Sequence, residues 1–279
     1  MTAVDPQLQA GTFVDVRGTR THVHESGSGP PLVMIHGSGP GVTAWANWRI
    51  TLPYLAARGL RCYAYDIAGF GYTERRPGVQ YGIERWVEHL VAFIEDVVGG
   101  PAMLLGNSMG GAMSLRVATE RPDLVTRLAL MGAGGIPFPL TPSLDAVWGY
   151  TPSLANMRAL IAEHFAYDPA LATDDLVKLR YEASTQPGFQ EAYAALFPAP
   201  RQRWVDAIAT PEERIRGIAV PTMIFHGRED RVIPLACSYR LLELIPDAQL
   251  HVFGKCGHWT QVERAAEFNA LCALFFGAG

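Results

Sequence analysis

The sequence predicts an α/β fold: a mostly parallel central sheet, helices on both faces, and a helical segment inserted late in the chain. Two observations carry this. Six strand-length apolar runs alternate with amphipathic helical patterns, which is the signature of βαβ units and a sheet buried on both faces. Between about 136 and 210 the alternation stops, and only helical patterns remain. Composition agrees, because 49% of residues are hydrophobic and 18% charged in a chain of 279, enough to bury a large core. Gly 28 and Pro 20 fall short of the ~25–30% combined share that marks low complexity.

The chain opens with TFVDVRG and THVHESG, two alternating runs separated by two residues, read as an antiparallel hairpin on the sheet edge. PLVMIH (31–36) and RCYAYD (61–66) follow as strands, and each meets a Gly- or Asp-rich turn. Residues 81–98 place Ile83, Trp86, Val87, Leu90, Val91, Ile94 and Val97 at three- and four-residue spacing, the stripe of a helix lying on a sheet. AMLLGN (102–107) and TRLALM (126–131) are the next strands. The insertion begins with the Pro/Gly-rich turn GGIPFPLTPS. Thr151-Pro152 reads as an N-cap with proline at the first helical position, and Thr173-Asp174-Asp175 as an N-cap followed by acidic residues. Thr210-Pro211-Glu212-Glu213 has the pattern of a capping box. PTMIFHG (221–227) and QLHVFG (249–254) complete the strands. The expected organisation is a core of 1–135 and 211–279 with a helical cap, or lid, over 136–210.

Charge excludes one class of function. The net charge is -4 and no basic run exceeds two residues, so the phosphate-neutralising face of a nucleic-acid binder is missing. The start MTAVDPQLQAGTFVDV lacks a basic, then apolar, leader, and no apolar run approaches ~18 residues, so neither a signal peptide nor a membrane span is expected. Cys62, Cys237, Cys256 and Cys272 form no CxxC pair and are expected to be reduced, buried thiols of a cytoplasmic protein.

The chemistry concentrates in four loops. Gly106-Asn107-Ser108-Met109-Gly110-Gly111 joins a strand to a helical pattern. G-x-S-x-G should arise by chance on the order of 0.1 times in such a composition, and a sharp turn from strand to helix is the context in which it lifts a serine above a sheet. A serine hydroxyl needs a base to become a nucleophile. His258 lies just past the last strand, and Asp230 just past the one before it. The order Ser108, Asp230, His258 is that of the α/β-hydrolase fold, and all three follow the C-terminal ends of strands, where open α/β sheets place their sites. Glu229 and Asp66 could in principle be the acid, but Glu229, adjacent to Asp230, should point elsewhere, and Asp66 should stabilise the Ile67–Gly71 turn. His22 and His24 alternate on one strand as a metal ligand pair would, without a third ligand, while His36 and His226 read as loop-shaping residues. Stabilising an oxyanion requires N–H donors. Met109, following the nucleophile, should supply one, and the glycine loop 36–41 the other, from Ser38 or else Gly37.

HGSGPGVTAWANW (36–48), GNSMGG (106–111), HGREDRVIP (226–234) and GKCGHW (254–259) together resemble the meta-cleavage product hydrolases, over nearly the whole chain. These are cofactor-free α/β-hydrolases that cut a carbon–carbon bond in 2-hydroxy-6-oxohexa-2,4-dienoates. The resemblance implies that Arg180, in LRYEA (179–183), binds the substrate carboxylate. It implies that Asn47 and Asn107 contact the dienoate and that Trp259 packs against it. Its further implications are no cofactor or metal, an anionic small-molecule substrate, and a dimer or higher homo-oligomer. The cap stretch 183–204 looks closer to members taking hydrogen or alkyl at C6 than to those preferring aryl groups. One departure is Tyr65, where members often carry proline. An esterase and a non-enzymatic ligand sensor on the same fold are the competing readings.

Overall fold

The computed structural model describes residues 6–76 and 78–278. Eight strands form one sheet: β1 (Thr12–Val16), β2 (Thr19–Ser26), β3 (Pro31–Ile35), β4 (Arg61–Tyr65), β5 (Ala102–Asn107), β6 (Val125–Met131), β7 (Thr222–Gly227) and β8 (Ala248–Phe253). Their spatial order is β1-β2-β4-β3-β5-β6-β7-β8. The first two join antiparallel, and every pair from β4 to β8 is parallel. Because successive side chains point to opposite faces, each central strand feeds two cores. Val33, Ile35, Leu104, Leu128 and Leu130 enter one, and Leu32, Met34, Met103, Leu105 and Ala129 the other. Helices Ile83–Phe93, Met109–Glu120 and Leu235–Leu244 cover the first face, and Thr51–Ala56 and Ala265–Phe276 cover the second.

All six central runs are strands, and the edge hairpin forms, but with a shifted turn. Val16 pairs with Thr19, so the two-residue loop is Arg17-Gly18 rather than Thr19-Arg20. Both loop residues have positive φ (48° and 79°), the geometry whose twist suits a two-residue hairpin. β2 pairs in turn with β4 from Val23 opposite Tyr65, and Thr21, His22, Val23 and His24 are all buried. The helix expected over 81–98 begins at Ile83 and widens into a π turn over Ile94–Val98, closed by Gly99.

Between β6 and β7 every regular element is helical. Two of the expected caps differ. Ser153, not Thr151, caps the helix Leu154–Ala159, its hydroxyl accepting from the Asn156 N–H, while the Asn156 side chain folds back onto Thr151 and holds it outside the helix. Thr141-Pro142, which reads as part of a turn, is the true threonine–proline cap, with Thr141 Oγ1 accepting from the Leu144 N–H. Thr173 caps Asp174–Ser184 as expected. The Thr210 box does not form. Pro211 starts the helix Glu212–Ile215, and the Thr210 hydroxyl is buried without a partner while its N–H is used on Gly135. The four cysteines are buried and unbridged, and burial pushes the Cys62 thiol up to about 12.

Candidate active site

The turn after β5 brings the sheet to its sharpest point at Ser108. Its backbone sits at φ 54°, ψ -117°, a conformation costing a non-glycine residue of order 1–3 kcal/mol. The crowding around it requires the motif's glycines: a Cβ on Gly106 would stand 2.4 Å from the Gly110 carbonyl, and one on Gly110 2.4 Å from that of Ile35. The strain is held by Ser108 N–H donating to Met131 O (3.0 Å) and by the Gly134 N–H donating to Ser108 O (3.0 Å).

Asp230, on the loop after β7, accepts from His258 Nδ1 through Oδ2 (2.7 Å) and from the Val232 and Ile233 N–H groups through Oδ1 (2.7 and 3.0 Å). Burial acts to raise its pKa, but His258 and these N–H donors outweigh it and hold the carboxyl below the usual range. His226 supports the pair from behind: Nε2 donates to Ile233 O (3.0 Å) and stands 3.4 Å from Asp230 Oδ2, while Nδ1 accepts from the Ser238 hydroxyl. With Nδ1 committed to Asp230, His258 presents Nε2 for proton transfer. The other carboxylates stand elsewhere. Glu229 accepts from the Cys256 N–H (3.0 Å) and pairs with Arg228. Asp66 is fully buried and ties together His22 Nδ1, Ala44 N–H and Tyr72 N–H, a wider junction than the Ile67–Gly71 turn alone. His22 uses its second nitrogen on Ala10 O, and His24 Nδ1 is used on Leu8 O.

One small pocket, about 20 Å³, collects the predicted residues. Ser108, His258, Gly37 and Ser38 line one part, and Asn47, Asn107, Arg180 and Trp259 another. Asp230 lies behind His258, and Met109 opens the helix beyond Ser108. Among the described residues no acceptor takes the N–H of Ser38 or Met109. Arg180, 3% exposed, donates from Nη2 to Pro40 O (2.9 Å), lies 4.9 Å above the Trp259 ring, and faces no carboxylate among the described residues. Loss of water on burial lowers its pKa to about 10. Asn107 is partly committed, since Nδ2 donates to Met131 O (3.2 Å), whereas Asn47 Nδ2 is buried with no partner.

Sequence reading missed what the inserted helices do here. Trp148 Nε1 donates to Ser38 Oγ (2.9 Å) and Tyr193 OH to Ser38 O (3.0 Å), clamping the loop that presents the Ser38 N–H. Phe165 stacks on Trp259 (4.5 Å), and its carbonyl accepts from the His258 N–H (2.7 Å). Leu144 and Val147 add apolar lining from the inserted helices, beside Val42 and Val232 of the core. These contacts span tens to more than a hundred residues, and no local pattern announces them.

A family model described as alpha/beta hydrolase fold matches residues 30–265. A 2-hydroxy-6-oxo-2,4-heptadienoate hydrolase of Pseudomonas putida (strain F1) is 52% identical over 100% of this chain and 99% of its own length. A 2-hydroxymuconate semialdehyde hydrolase of Pseudomonas sp. (strain CF600) is 51% identical over 99% and 96%. The crystal structure of a serine-to-alanine variant of the meta-cleavage product hydrolase from Pseudomonas fluorescens IP01, complexed with acetates, superposes with a TM-score of 0.94 at 48% identity, covering 97% of this chain and 99% of that one. The chain belongs to the meta-cleavage product hydrolases of the α/β-hydrolase family. In this hydrolase the likeness runs the full length, so it includes the helices between β6 and β7 that supply Arg180. No helix among the described residues is long and apolar enough to cross a membrane.

Proposed function

We propose that the hydrolase cleaves the C5–C6 bond of 2-hydroxy-6-oxohexa-2,4-dienoates bearing hydrogen or a small alkyl group at C6. Water is consumed, and 2-hydroxypenta-2,4-dienoate and a carboxylic acid are released. The observation that carries this reading is Arg180, a buried cation with no counter-ion among the described residues, beside a serine–histidine–aspartate triad. A charge desolvated in this way is costly unless an anion completes it, and a planar guanidinium suits a carboxylate. A simple esterase has no use for it.

In this scheme Arg180, Asn47 and Asn107 hold the carboxylate end, and Trp259 packs against the dienoate. The 2-hydroxyl proton is lost and C5 gains one, giving the 2,6-dioxo tautomer. Attack at C6 by the Ser108 oxygen, or by water that His258 activates with Ser108, forms a tetrahedral oxyanion facing the Met109 and Ser38 N–H groups. Such donors are each worth about 2.7–4 kcal/mol in the transition state. When C5–C6 breaks, its electron pair moves onto C5 and delocalises to the C2 carbonyl, and protonation completes the dienol product. C6 leaves as the acid, through its serine ester if Ser108 attacked. His258, held by Asp230, carries the protons.

The preference for small substituents is supported by the small volume of the pocket, about 20 Å³, whose apolar lining includes Leu144, Val147 and Val232. It is also supported by the names of the relatives near 50% identity, whose substrates carry hydrogen or methyl at C6. A cytoplasmic location, which the unbridged buried thiols favour, and a dimer or larger assembly belong to the same proposal. The test follows the yellow absorbance of ring-fission products with hydrogen, methyl, isopropyl and phenyl at C6. Loss of colour fastest for hydrogen and methyl is expected, and colour persisting with all four overturns the reading.

A further inference from the structure

Behind Arg180 lies a second cavity, about 10 Å³ and so no larger than a water site, bordered by helix Ala44–Trp48, helix Asp174–Ser184 and the segment following Trp259. It shares Asn47, Arg180 and Trp259 with the active-site pocket and adds Arg49 and Gln261. Three polar atoms of its lining residues are buried with no partner: Asn47 Nδ2, Arg180 Nε and Gln261 Oε1. Arg49 lies at the C-terminal end of its helix, with Nη1 donating to Ala46 O (2.7 Å). Its side chain is partly desolvated, and among the described residues no acidic group bears on it or on Arg180, whereas the two cations oppose one another. Two guanidinium groups and an idle amide donor therefore border one water-sized space, with no counter-charge among the described residues. Like charges gathered in this way are unfavourable until an anion joins them.

We propose that Arg49 is a second cation for the substrate carboxylate, acting with Arg180 to bind the anionic end of the dienoate. This deepens the proposed function and rests on it. Arg49 belongs to binding and not to bond cleavage. It reverses locally the repulsion that a chain of net charge -4 presents to an anion, and within a Debye length of about 8 Å its field is only partly screened.

The test compares wild type with Arg49→Met, which keeps most of the apolar stem, and Arg49→Lys, which keeps the charge. The readout is the ratio of kcat/KM for the C6-methyl dienoate to kcat/KM for an uncharged aryl acetate, at salt from about 20 to about 500 mM. In Arg49→Met the ratio should fall about tenfold, through KM, and the salt dependence of KM should flatten. Arg49→Lys should stay within about threefold of wild type. A ratio within twofold of wild type in Arg49→Met, or an Arg49→Lys as impaired as Arg49→Met with the salt dependence intact, overturns the proposal. Calorimetric titration with sorbate, a dienoate lacking the reacting carbonyl, reads the anion site without chemistry. Weaker sorbate binding by Arg49→Met, beside a wild type that cleaves no dienoate, would remove the functional reading and keep the role of Arg49. Equal sorbate binding by both proteins would remove Arg49 in either case.

Discussion

Replacing Arg180 by methionine separates a residue kept for substrate from one kept for the fold. Burial lowers the guanidinium pKa to about 10, which corresponds to about 3 kcal/mol against the charged form. At any pH below about 10 the group is charged both folded and unfolded, so the whole of this cost opposes folding at neutrality. Methionine removes it. The substitution also forfeits the hydrogen bond to Pro40 O, worth about 1.5–3 kcal/mol for a charged donor. The contact with the Trp259 face contributes about 0.5–2 kcal/mol more. Gain and loss nearly cancel, so Tm should move by no more than about 3 °C. Catalysis has no such compensation. Losing a desolvated carboxylate partner costs about 2–5 kcal/mol, a fall of roughly 30- to several-thousand-fold in kcat/KM for the dienoate. Scanning calorimetry and stopped-flow absorbance supply the two numbers, with aryl acetate hydrolysis as the reference activity. A dienoate kcat/KM within threefold of wild type, or a Tm lowered by more than about 8 °C, would show that Arg180 is a strut and refute the reasoning.

Three further outcomes are expected. Ser108→Ala and Ser108→Gly should both lose at least about 10⁴-fold in kcat, but only the glycine variant relieves the strained backbone (φ 54°); its melt should rise relative to Ser108→Ala by about 1–3 kcal/mol of stability. Asp230→Asn should lower kcat for dienoate and ester alike by about 10³–10⁴-fold. Burial opposes the Asp230 charge, yet His258 and the loop N–H groups depress its folded pKa below 3.8. The stability it contributes is therefore present above pH 3.8 and disappears as pH falls through the lower folded value, so melts of wild type and variant should differ at pH 6 and converge toward pH 2. Gly41→Ala places a Cβ 1.9 Å from the Arg180 carbonyl at φ +63° and should raise the dienoate KM about tenfold or more by displacing that helix. Gly188→Ala, at φ +73° with no atom near its Cβ, should cost about 1–2 kcal/mol of stability and leave KM alone.

What could be read in advance depended on how far each cause extends along the chain. Ser108 was legible because the turn it needs is local: a buried strand, two crowded glycines and a helix start within six residues. Asp230 and His258 were legible by type and position, each just beyond a strand end, and Asp230 is preferred to Glu229 on that ground; the structure adds the geometry, with Asp230 meeting His258 Nδ1 and Glu229 turned to the Cys256 N–H. Thr210 shows the opposite failure. Its capping-box pattern is sound, yet tertiary packing spends its N–H on Gly135 and starts the helix one residue later.

By itself the sequence determined the alternation of elements, the sharp strand-to-helix turn that carries Ser108, and a charge balance without a basic run, and through resemblance it supplied the expectation that Arg180 binds the substrate. Only the tertiary structure decided that Arg180 has no counter-ion among the described residues, that Trp148 and Tyr193 grip Ser38 from 110 and 155 residues away, and that Arg49 borders a small space shared with Arg180. The physical reason is that strand, turn and helix preferences act over a few neighbouring residues. Desolvation and pairing depend on what the whole fold places around a charge, and no window of sequence contains that.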